Sequence, residues 1–572
     1  MKKYIYMFNK GLLLLTIIQV LMLSSCSKDI LEETELDFLS TENAYATVSG
    51  IQQGISGLHT KVRTSFYTET GGQPMIAVNL GGIGTDIAFH GEDPNSTVFL
   101  SNYATYLTPS STFLSPLWTY NYEIIQMANV LIKGINAADA GIWTNDAQKN
   151  AYLAEAMFFR AYAYRMLVSY YGDVPLVIEV INTVKTDFVR APKADIYNQI
   201  EEDLTFAAAN LPARGNVEAP GRIAQAAAWH LLTELYINEA KYQDALDAAS
   251  EVIDGGEYAL MTSRFGSTVD VFGSGDVFLD LFAYGNQNLA NNTEAIWVLQ
   301  FEPFITGGNS FPGERAWGPA YFRMGNTPDG FKAFRGDFYN GVYTGYSDSL
   351  GRPVSWIHPT NYAAYDIWRS DWNNDIRNAK HMIKRDFFFD NPASIYDKQK
   401  IDFSLYPAGS RDAIKDTCQY IYPYFLKHAD PCHHLTNLSM SGGGSNHKDV
   451  YAIRLAETIL LRAEAYIGLE REDLAAADIN LIRTRANANP IDASEADLDY
   501  VLDERARELY AEEFRHITLR RMGKLIDRVR LYNNNPKNPG LNIQDYNVLF
   551  PIPQSQIDLN IDAVMEQNEG YN

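Results

Sequence analysis

Cysteine and basic residues are both scarce in this chain of 572 residues. It contains three cysteines, and 47 lysines and arginines stand against 70 aspartates and glutamates, which gives a formal net charge of −23. A protein that binds nucleic acid needs clustered positive charge to neutralise phosphates. The composition therefore argues against a nucleic acid partner and indicates an acidic, well-solvated surface.

Long apolar runs are also rare. The one pronounced run is residues 11–23, GLLLLTIIQVLML, and it follows a start that carries Lys2, Lys3 and Lys10. A transmembrane helix needs about 20 apolar residues, so this run is short for one. A basic start before a short apolar segment is typical of a secretory signal. We therefore predict a signal peptide over residues 1–25.

The first cysteine lies directly after the predicted cleavage site. The segment Leu23-Ser24-Ser25-Cys26 resembles the bacterial lipobox, in which the cysteine thiol is acylated and becomes the first residue of the mature chain. Each buried CH₂ of an acyl chain contributes about 0.8 kcal/mol to membrane binding, so several chains anchor a protein firmly. We expect Cys26 to be lipidated and the polar residues 26–40 to form a tether.

The other two cysteines are Cys418 and Cys432, and their state is open at this stage. In an exported protein they could form one disulfide, or they could stay free thiols. The run Cys432-His433-His434, followed by His447, makes a metal site the third alternative, although zinc sites usually show tighter paired spacing. We expect no bound metal or other cofactor; a structural calcium ion cannot be read from the sequence.

Motifs for catalysis are missing. The chain has no Gly-Xaa-Ser-Xaa-Gly elbow, no His-Glu-Xaa-Xaa-His zinc motif and no phosphate-binding P-loop. Asp503, Glu504, Glu508 and Glu512-Glu513 could suggest a glycosidase pair of carboxylates. They alternate with arginines on a helical pattern, however, and salt bridges explain them better. We expect a protein that is not an enzyme.

Apolar periodicity predicts a mostly α fold. Apolar residues recur at spacings of three and four along Pro116–Ile135 and Asn145–Tyr171, and Lys193–Asn210 forms a third predicted helix. Residues 61–115 show no clear period and are predicted to be irregular. We place the helical scaffold mainly at 116–260 and 448–530, within a single domain that spans 41–572.

Two segments look like helical hairpins of the tetratricopeptide type. In 223–253, Trp229 is followed by Leu232, Tyr236 and Ala245 at the offsets of that repeat. Residues 459–482 repeat the pattern more weakly, with small and large residues at the same offsets. Small residues are needed where two helices touch, so we expect hairpins that are separated in sequence to form one scaffold.

The middle of the chain, about 262–447, has a different composition. It is rich in Gly, Asn, Asp and aromatic residues, and its periodicity is poor. We predict a packed, loop-rich subdomain on the helical scaffold, because binding residues often lie on loops held by a rigid scaffold. The candidate ligand-binding residues are Trp317, Tyr321, Arg323, Tyr343, Trp356, Trp368 and Trp372, with Asn79, Asp86 and Tyr103 from the earlier irregular stretch.

Several short motifs, in order along the chain, resemble one known family. They are 155–161 (EAMFFRA), 171–176 (YGDVPL), 374–377 (NDIR), 479–486 (INLIRTRA), 504–509 (ERAREL), 549–553 (LFPIP) and 567–571 (QNEGY). Together they resemble the SusD/RagB family, the surface nutrient-binding lipoproteins of Bacteroidetes. The resemblance runs from the lipobox to the end of the chain.

The resemblance implies both an architecture and a role. The fold would be SusD-like, with tetratricopeptide-like hairpins on one side and irregular structure on the other. The protein would face the cell exterior at the outer membrane, capture oligosaccharides and pass them to a TonB-dependent barrel of the SusC type. A peptide ligand on the same architecture and a tetratricopeptide scaffold without a small ligand are the alternatives. The family's ligand residues lie in variable segments, so the resemblance assigns none here.

Overall fold

The computed structural model describes residues 44–571, apart from 69–75, 92–99, 268–274, 303, 337, 340–341, 344–349, 407–418 and 431–444. Cys26, Cys418 and Cys432 lie outside the described residues, so the lipidation stays a prediction and the three alternatives for Cys418 and Cys432 stay open. The helices of the described residues are α1 Val48–Phe66, α2 Ile76–Gly81, α3 Tyr103–Tyr106, α4 Leu114–Ala137, α5 Asp146–Tyr171, α6 Lys193–Asn210, α7 Gln225–Asn238, α8 Tyr242–Ile253, α9 Val277–Leu281, α10 Gly313–Ala316, α11 Asn361–Ala364, α12 Leu455–Gly468, α13 Glu472–Arg485, α14 Leu498–Glu508, α15 Arg515–Arg521, α16 Leu525–Tyr532 and α17 Gln554–Leu559.

The strands are few and short. They are β1 Ala88–His90, β2 Ala295–Leu299, β3 Phe338–Tyr339, β4 Val342–Tyr343, β5 Ile357–Pro359, β6 Ile383–Lys384, β7 Tyr424–Phe425 and β8 Val450–Arg454. They form antiparallel pairs β1–β5, β2–β8, β3–β4 and β6–β7. In β1–β5, Ala88 lies opposite Pro359 and His90 opposite Ile357. The prediction of a mostly α-helical fold is confirmed.

The long helices match the sequence periodicity closely. Helix α5 begins after Asn145, whose side chain accepts a hydrogen bond from the Gln148 N–H, and it ends at Gly172, which has a positive φ of 71°. A capping oxygen satisfies a free N–H of the first turn, and glycine adopts a left-handed conformation without a steric cost. Helix α6 spans the predicted residues 193–210.

One long helix was not predicted. The stretch 61–115 was expected to be irregular, but its first residues belong to α1, Val48–Phe66. This helix buries Ile51, Ile55, Leu58 and Val62, which are spaced by three and four residues. The apolar spacing that indicates this helix therefore begins upstream of residue 61, and the predicted start of the irregular stretch was wrong.

The two predicted hairpins form and pack on each other. Helices α7 and α8 make the first, and α12 and α13 make the second. Ala245 and Leu246 of α8 form a buried cluster with Leu461 and Ala465 of α12. A Cβ added to Gly468 would lie 2.5 Å from the Tyr242 ring, so the close approach of α12 and α8 requires glycine there.

The core of the scaffold joins β2 to the helices. Trp297 is buried and meets the rings of Phe158 and Tyr162 of α5 edge-on, with centroids 5.5 and 5.3 Å apart. Edge-to-face pairs of this kind contribute about 0.5–1.5 kcal/mol beyond the burial of apolar area. Strand β2 therefore fixes the start of the loop-rich region against the helical scaffold.

Candidate functional site

Most of the predicted ligand residues are buried. Seven of them are at most 5% exposed, and they are Trp317, Tyr321, Trp356, Trp368, Asn79, Asp86 and Tyr103. A ring or carboxylate inside the core cannot stack on or bond a ligand at the surface. These seven predictions are wrong for the described structure, because the absence of periodicity in a loop-rich segment does not imply exposure.

Each buried aromatic residue has a structural partner. The Trp368 Nε1–H donates to the Ala363 carbonyl at 2.9 Å, and the Tyr103 hydroxyl donates to the Gly84 carbonyl at 2.7 Å. The Tyr321 hydroxyl donates to the Gly351 carbonyl at 2.7 Å. Trp317 meets Tyr510 edge-on at 5.1 Å between centroids. Buried Tyr and Trp side chains usually need such polar partners.

Asp86 is a structural carboxylate. Arg515 donates to it through Nε and Nη2 at 2.9 and 2.7 Å, and Arg528 donates through Nε at 2.8 Å. Burial alone would raise the pKa of Asp86, but the two guanidinium groups lower it to about 2. The charge is fully engaged by the two arginines.

The acidic run near residue 504 is also structural, as predicted. Glu504 accepts from Arg377 at 2.7 Å and from Arg483 at 3.0 Å, and Glu508 accepts from Arg454 at 2.7 Å. Burial opposes ionisation of Glu504, yet its arginines lower the pKa to about 2. These carboxylates stabilise the packing of α12, α13 and α14 and are not placed at a surface cleft.

Three predicted residues are exposed: Arg323, Tyr343 and Trp372. The Tyr343 ring lies under the Arg335 guanidinium, with 3.5 Å between the guanidinium carbon and the ring centroid. The Trp372 side chain is 42% exposed and belongs to a larger arrangement.

Trp372 and Tyr365 form an aromatic surface that we name the platform. Their rings are nearly parallel, with an interplanar angle of 11° and centroids 6.4 Å apart, and Tyr365 is 40% exposed. The Arg385 guanidinium lies 4.6 Å from the Trp372 centroid and 5.7 Å from the Tyr365 centroid. Tyr365 and Arg385 were missed, although Tyr365 and Trp372 bracket the aromatic-rich run 365–372.

Hydrogen bonds hold Arg385 in place. Its Nη2 donates to the Ala364 carbonyl at 2.7 Å and to Asn378 Oδ1 at 2.6 Å. Asn378 in turn donates to the Trp372 carbonyl at 2.7 Å. Burial lowers the pKa of Arg385 to about 10, so the group keeps its charge at neutral pH. A fixed cation under two rings preorganises the platform.

The segment that carries the platform is attached to the scaffold. A short 3₁₀ helix, Asp366–Asp371, separates the two rings. Asp371 accepts from Arg483 of α13 at 2.8 Å, and the Ile376 N–H donates to the Ala486 carbonyl at 3.0 Å. The platform segment is therefore tied to the C-terminal end of α13.

The platform segment also carries polar groups. Asp366 and Arg369 are partly exposed on the 3₁₀ helix and form an ion pair. Burial raises the pKa of Tyr365, Arg385 opposes this rise, and the nearby Asp386 carboxylate adds to it. Flat apolar faces beside carboxylate, guanidinium and amide groups suit a ligand with alternating apolar and hydroxyl-bearing surfaces.

The described residues offer no obvious metal centre. Among them, no group of three or more His, Cys, Asp and Glu side chains is placed to hold a metal ion. Nor does any helix in the described part of the chain have the length and apolarity needed to cross a bilayer.

Two family profiles match this chain. The profile described as "SusD family" matches residues 341–571, and the profile described as "Starch-binding associating with outer membrane" matches residues 60–237. The second match covers α4, α5 and α6, and the first covers the platform, α12, α13 and the C-terminal segment.

One curated relative aligns over nearly the whole chain, and another aligns over part of it. The SusD-like protein P25 of Formosa agariphila is 25% identical over an alignment that covers 97% of this chain and 99% of that protein. A SusD-like protein of Bacteroides ovatus is 27% identical over 35% of this chain and 36% of its own length.

Solved structures show the same fold. A SusD homologue from Bacteroides thetaiotaomicron superposes with a TM-score of 0.69 at 20% identity and covers 94% of this chain and 100% of that one. A laminarin binding SusD-like protein superposes with a TM-score of 0.65 at 19% identity and covers 92% of this chain and 100% of that one.

Proposed function

The chain belongs to the SusD family, and from this premise we propose that it is a glycan-binding lipoprotein of the outer membrane. It captures oligosaccharides or polysaccharide at the cell exterior and delivers them to a TonB-dependent barrel of the SusC type. It does not cleave its ligand. The description of one matching family profile as starch-binding, and the laminarin binding of one structural neighbour, support a glycan as the ligand class.

The single observation that carries the proposal is the platform. Tyr365 and Trp372 present two nearly parallel, half-exposed rings over a fixed guanidinium. Two exposed rings side by side form a contiguous apolar patch, and such patches on protein surfaces often mark contact sites. The apolar face of a pyranose ring can stack on each of them, while Asp366, Arg369 and Asp386 bond its hydroxyl groups.

Binding measurements on platform variants test this function. We expect Trp372→Ala and Tyr365→Ala each to weaken binding of a matching polysaccharide roughly two- to tenfold, since one stacked ring contributes about 0.5–1.5 kcal/mol. Unchanged melting temperatures would separate this effect from unfolding. Tyr546→Ala removes a ring of similar exposure elsewhere and is the matched control.

The panel should contain peptides as well as glycans. Saturable binding of peptides alone, lost in Trp372→Ala, would replace the glycan by a peptide ligand. Normal glycan binding in both platform variants would overturn the assignment of the site. If the protein delivers its ligand to a barrel, purification in mild detergent should recover the two together. Recovery of the protein without a barrel, under conditions that preserve such complexes, would count against the delivery step.

A further inference from the structure

Positive charge without a carboxylate partner lies beside the platform, although the net charge of the chain is −23. It belongs to Lys380, Lys384 and Arg385, none of which has a carboxylate oxygen within 4 Å among the described residues. Lys380 is exposed, and Lys384 and Arg385 are half-buried. Clustered charge of one sign attracts ligands of the opposite sign, so this part of the surface favours anions.

The chain brings these cations next to the rings. The Arg385 guanidinium lies 4.6 Å from the Trp372 centroid, and Lys384, the last residue of β6, directly precedes Arg385. Lys380 follows two residues after Asn378, which donates to the Trp372 carbonyl at 2.7 Å. Because consecutive Cα atoms are about 3.8 Å apart, both lysines begin within about 8 Å of groups that hold the platform. A lysine carries its charge on a flexible four-carbon stem, so the ammonium groups can follow a ligand that lies on the rings.

The Asp386 carboxylate connects both lysines electrostatically to the platform. A hydrogen bond from Lys400 lowers the pKa of Asp386, and the charges of Lys380 and Lys384 lower it further. Burial raises the pKa of Tyr365, and the charge of the same carboxylate adds to that rise. Only Lys400 pairs with Asp386 directly, at 2.6 Å. The two lysines therefore act on the surface near Tyr365 while their own charges stay unpaired.

The acidic side chains of the platform segment are already paired. The four between residues 365 and 386 each have a cationic partner, in the pairs Asp366–Arg369, Asp371–Arg483, Asp375–Arg377 and Asp386–Lys400. The imidazole of His381, in the same segment, lies 2.6 Å from Asp276. These pairs leave three cations over at the platform and no carboxylate to balance them among the described residues.

We propose, resting on the glycan-binding function above, that the platform takes an acidic glycan whose sugar units carry carboxylate or sulfate groups. The rings of Tyr365 and Trp372 stack on the sugar faces, as they would for any glycan. The ammonium groups of Lys380 and Lys384 bind the anionic substituents, and hydrogen bonds to such groups are about twice as strong as neutral ones. A neutral polysaccharide lacks this contribution and binds the same rings more weakly.

Matched glycans test the charge preference without a change to the protein. Polygalacturonate and alginate are compared with their esterified forms, and carrageenan and dextran sulfate with desulfated carrageenan and dextran. We expect at least one acidic glycan to bind, and its neutral counterpart to bind at least about threefold more weakly. Raising the salt from about 50 to about 500 mM should remove most of this difference, because salt screens exposed charges. The carboxylate pairs and the sulfate pairs separate the two sources of charge.

A double variant tests the two lysines. Lys380→Gln with Lys384→Gln removes both charges and keeps polar side chains, so the melting temperature should not change. Binding of the acidic glycan should weaken roughly two- to thirtyfold, the range expected for two exposed ion pairs, and binding of the neutral counterpart should not change. Lys133→Gln is the matched control, because Lys133 is an exposed lysine of α4 that likewise has no carboxylate partner among the described residues.

The outcomes separate this proposal from the function on which it rests. The charge preference is overturned if no acidic glycan binds, if acidic and neutral counterparts bind equally, or if the double variant binds the acidic glycan like the wild type. The glycan-binding function survives those results as long as some glycan binds and Trp372→Ala weakens that binding. Both fail if polyglutamate binds and no glycan does, or if nothing in the panel binds.

Discussion

Trp317 and Trp372 show how burial separates two residues of the same type. Trp317 is 3% exposed and contacts Tyr510, whereas Trp372 is 42% exposed. Trp317→Ala should lower the free energy of unfolding by about 3–5 kcal/mol, because it removes core contacts and leaves a cavity. Thermal unfolding measures this, and Trp372→Ala is the matched comparison with little loss. A wild-type melting temperature for Trp317→Ala would contradict the assignment.

His230 makes a pH-dependent contribution to stability. Its Nδ1 lies 2.8 Å from the Thr458 hydroxyl, and burial lowers its pKa from 6.5 to about 3. Between those values the unfolded chain binds a proton and the folded chain does not, so stability falls as the pH drops from 6.5 towards 3. When the pH falls from 7 to 5, the free energy of unfolding of His230→Gln should therefore decrease by about 2 kcal/mol less than that of the wild type. Urea unfolding at both values measures the difference, and equal losses would contradict it.

At the scale of elements, the link between the platform segment and α13 determines how well the rings are positioned. Asp371 accepts from Arg483 and from the Asn489 N–H, both at 2.8 Å. Asp371→Asn should cost about 1–3 kcal/mol of stability, because it removes a charged partner from a buried guanidinium. It should also weaken glycan binding, since Trp372 directly follows it.

The matched control is on the same 3₁₀ helix. Asp366 pairs with Arg369 at the surface, where an ion pair contributes about 0–1 kcal/mol. Asp366→Asn should therefore leave the melting temperature nearly unchanged. A wild-type melting temperature together with wild-type glycan binding for Asp371→Asn would show that the attachment to α13 does not position the platform.

Helices whose apolar residues recur with the helical period could be predicted from the sequence. The exposure of individual aromatic residues could not. Helix α6 has the predicted ends because its buried face recurs with the helical period. In the loop-rich region the exposure of Trp317, Trp356, Trp368 and Trp372 depends on contacts with distant segments, such as Tyr510 and Arg483. No local pattern encodes those contacts, so composition could not separate the exposed rings from the buried ones.

For the whole molecule, the predicted lipid anchor has the largest consequence for its behaviour. Cys26→Ala should release the protein from the outer membrane, because the acyl chains supply about 0.8 kcal/mol for each buried CH₂. Membrane fractionation in a strain without the barrel measures the release. Cys418→Ala is the matched control and should stay membrane-bound. A Cys26→Ala variant that still fractionates with the membrane would contradict the anchor.

The pairing of Asp86 with Arg515 and Arg528 has a consequence for how the chain acquires its structure. The carboxylate lies near the beginning of the chain, and its cationic partners lie more than 400 residues later. During synthesis the N-terminal part appears first, so it cannot bury Asp86 favourably until the last helices arrive. Contacts between such distant residues make folding slow. The nascent chain should thus depend on chaperones, and a version truncated before α15 should aggregate rather than fold.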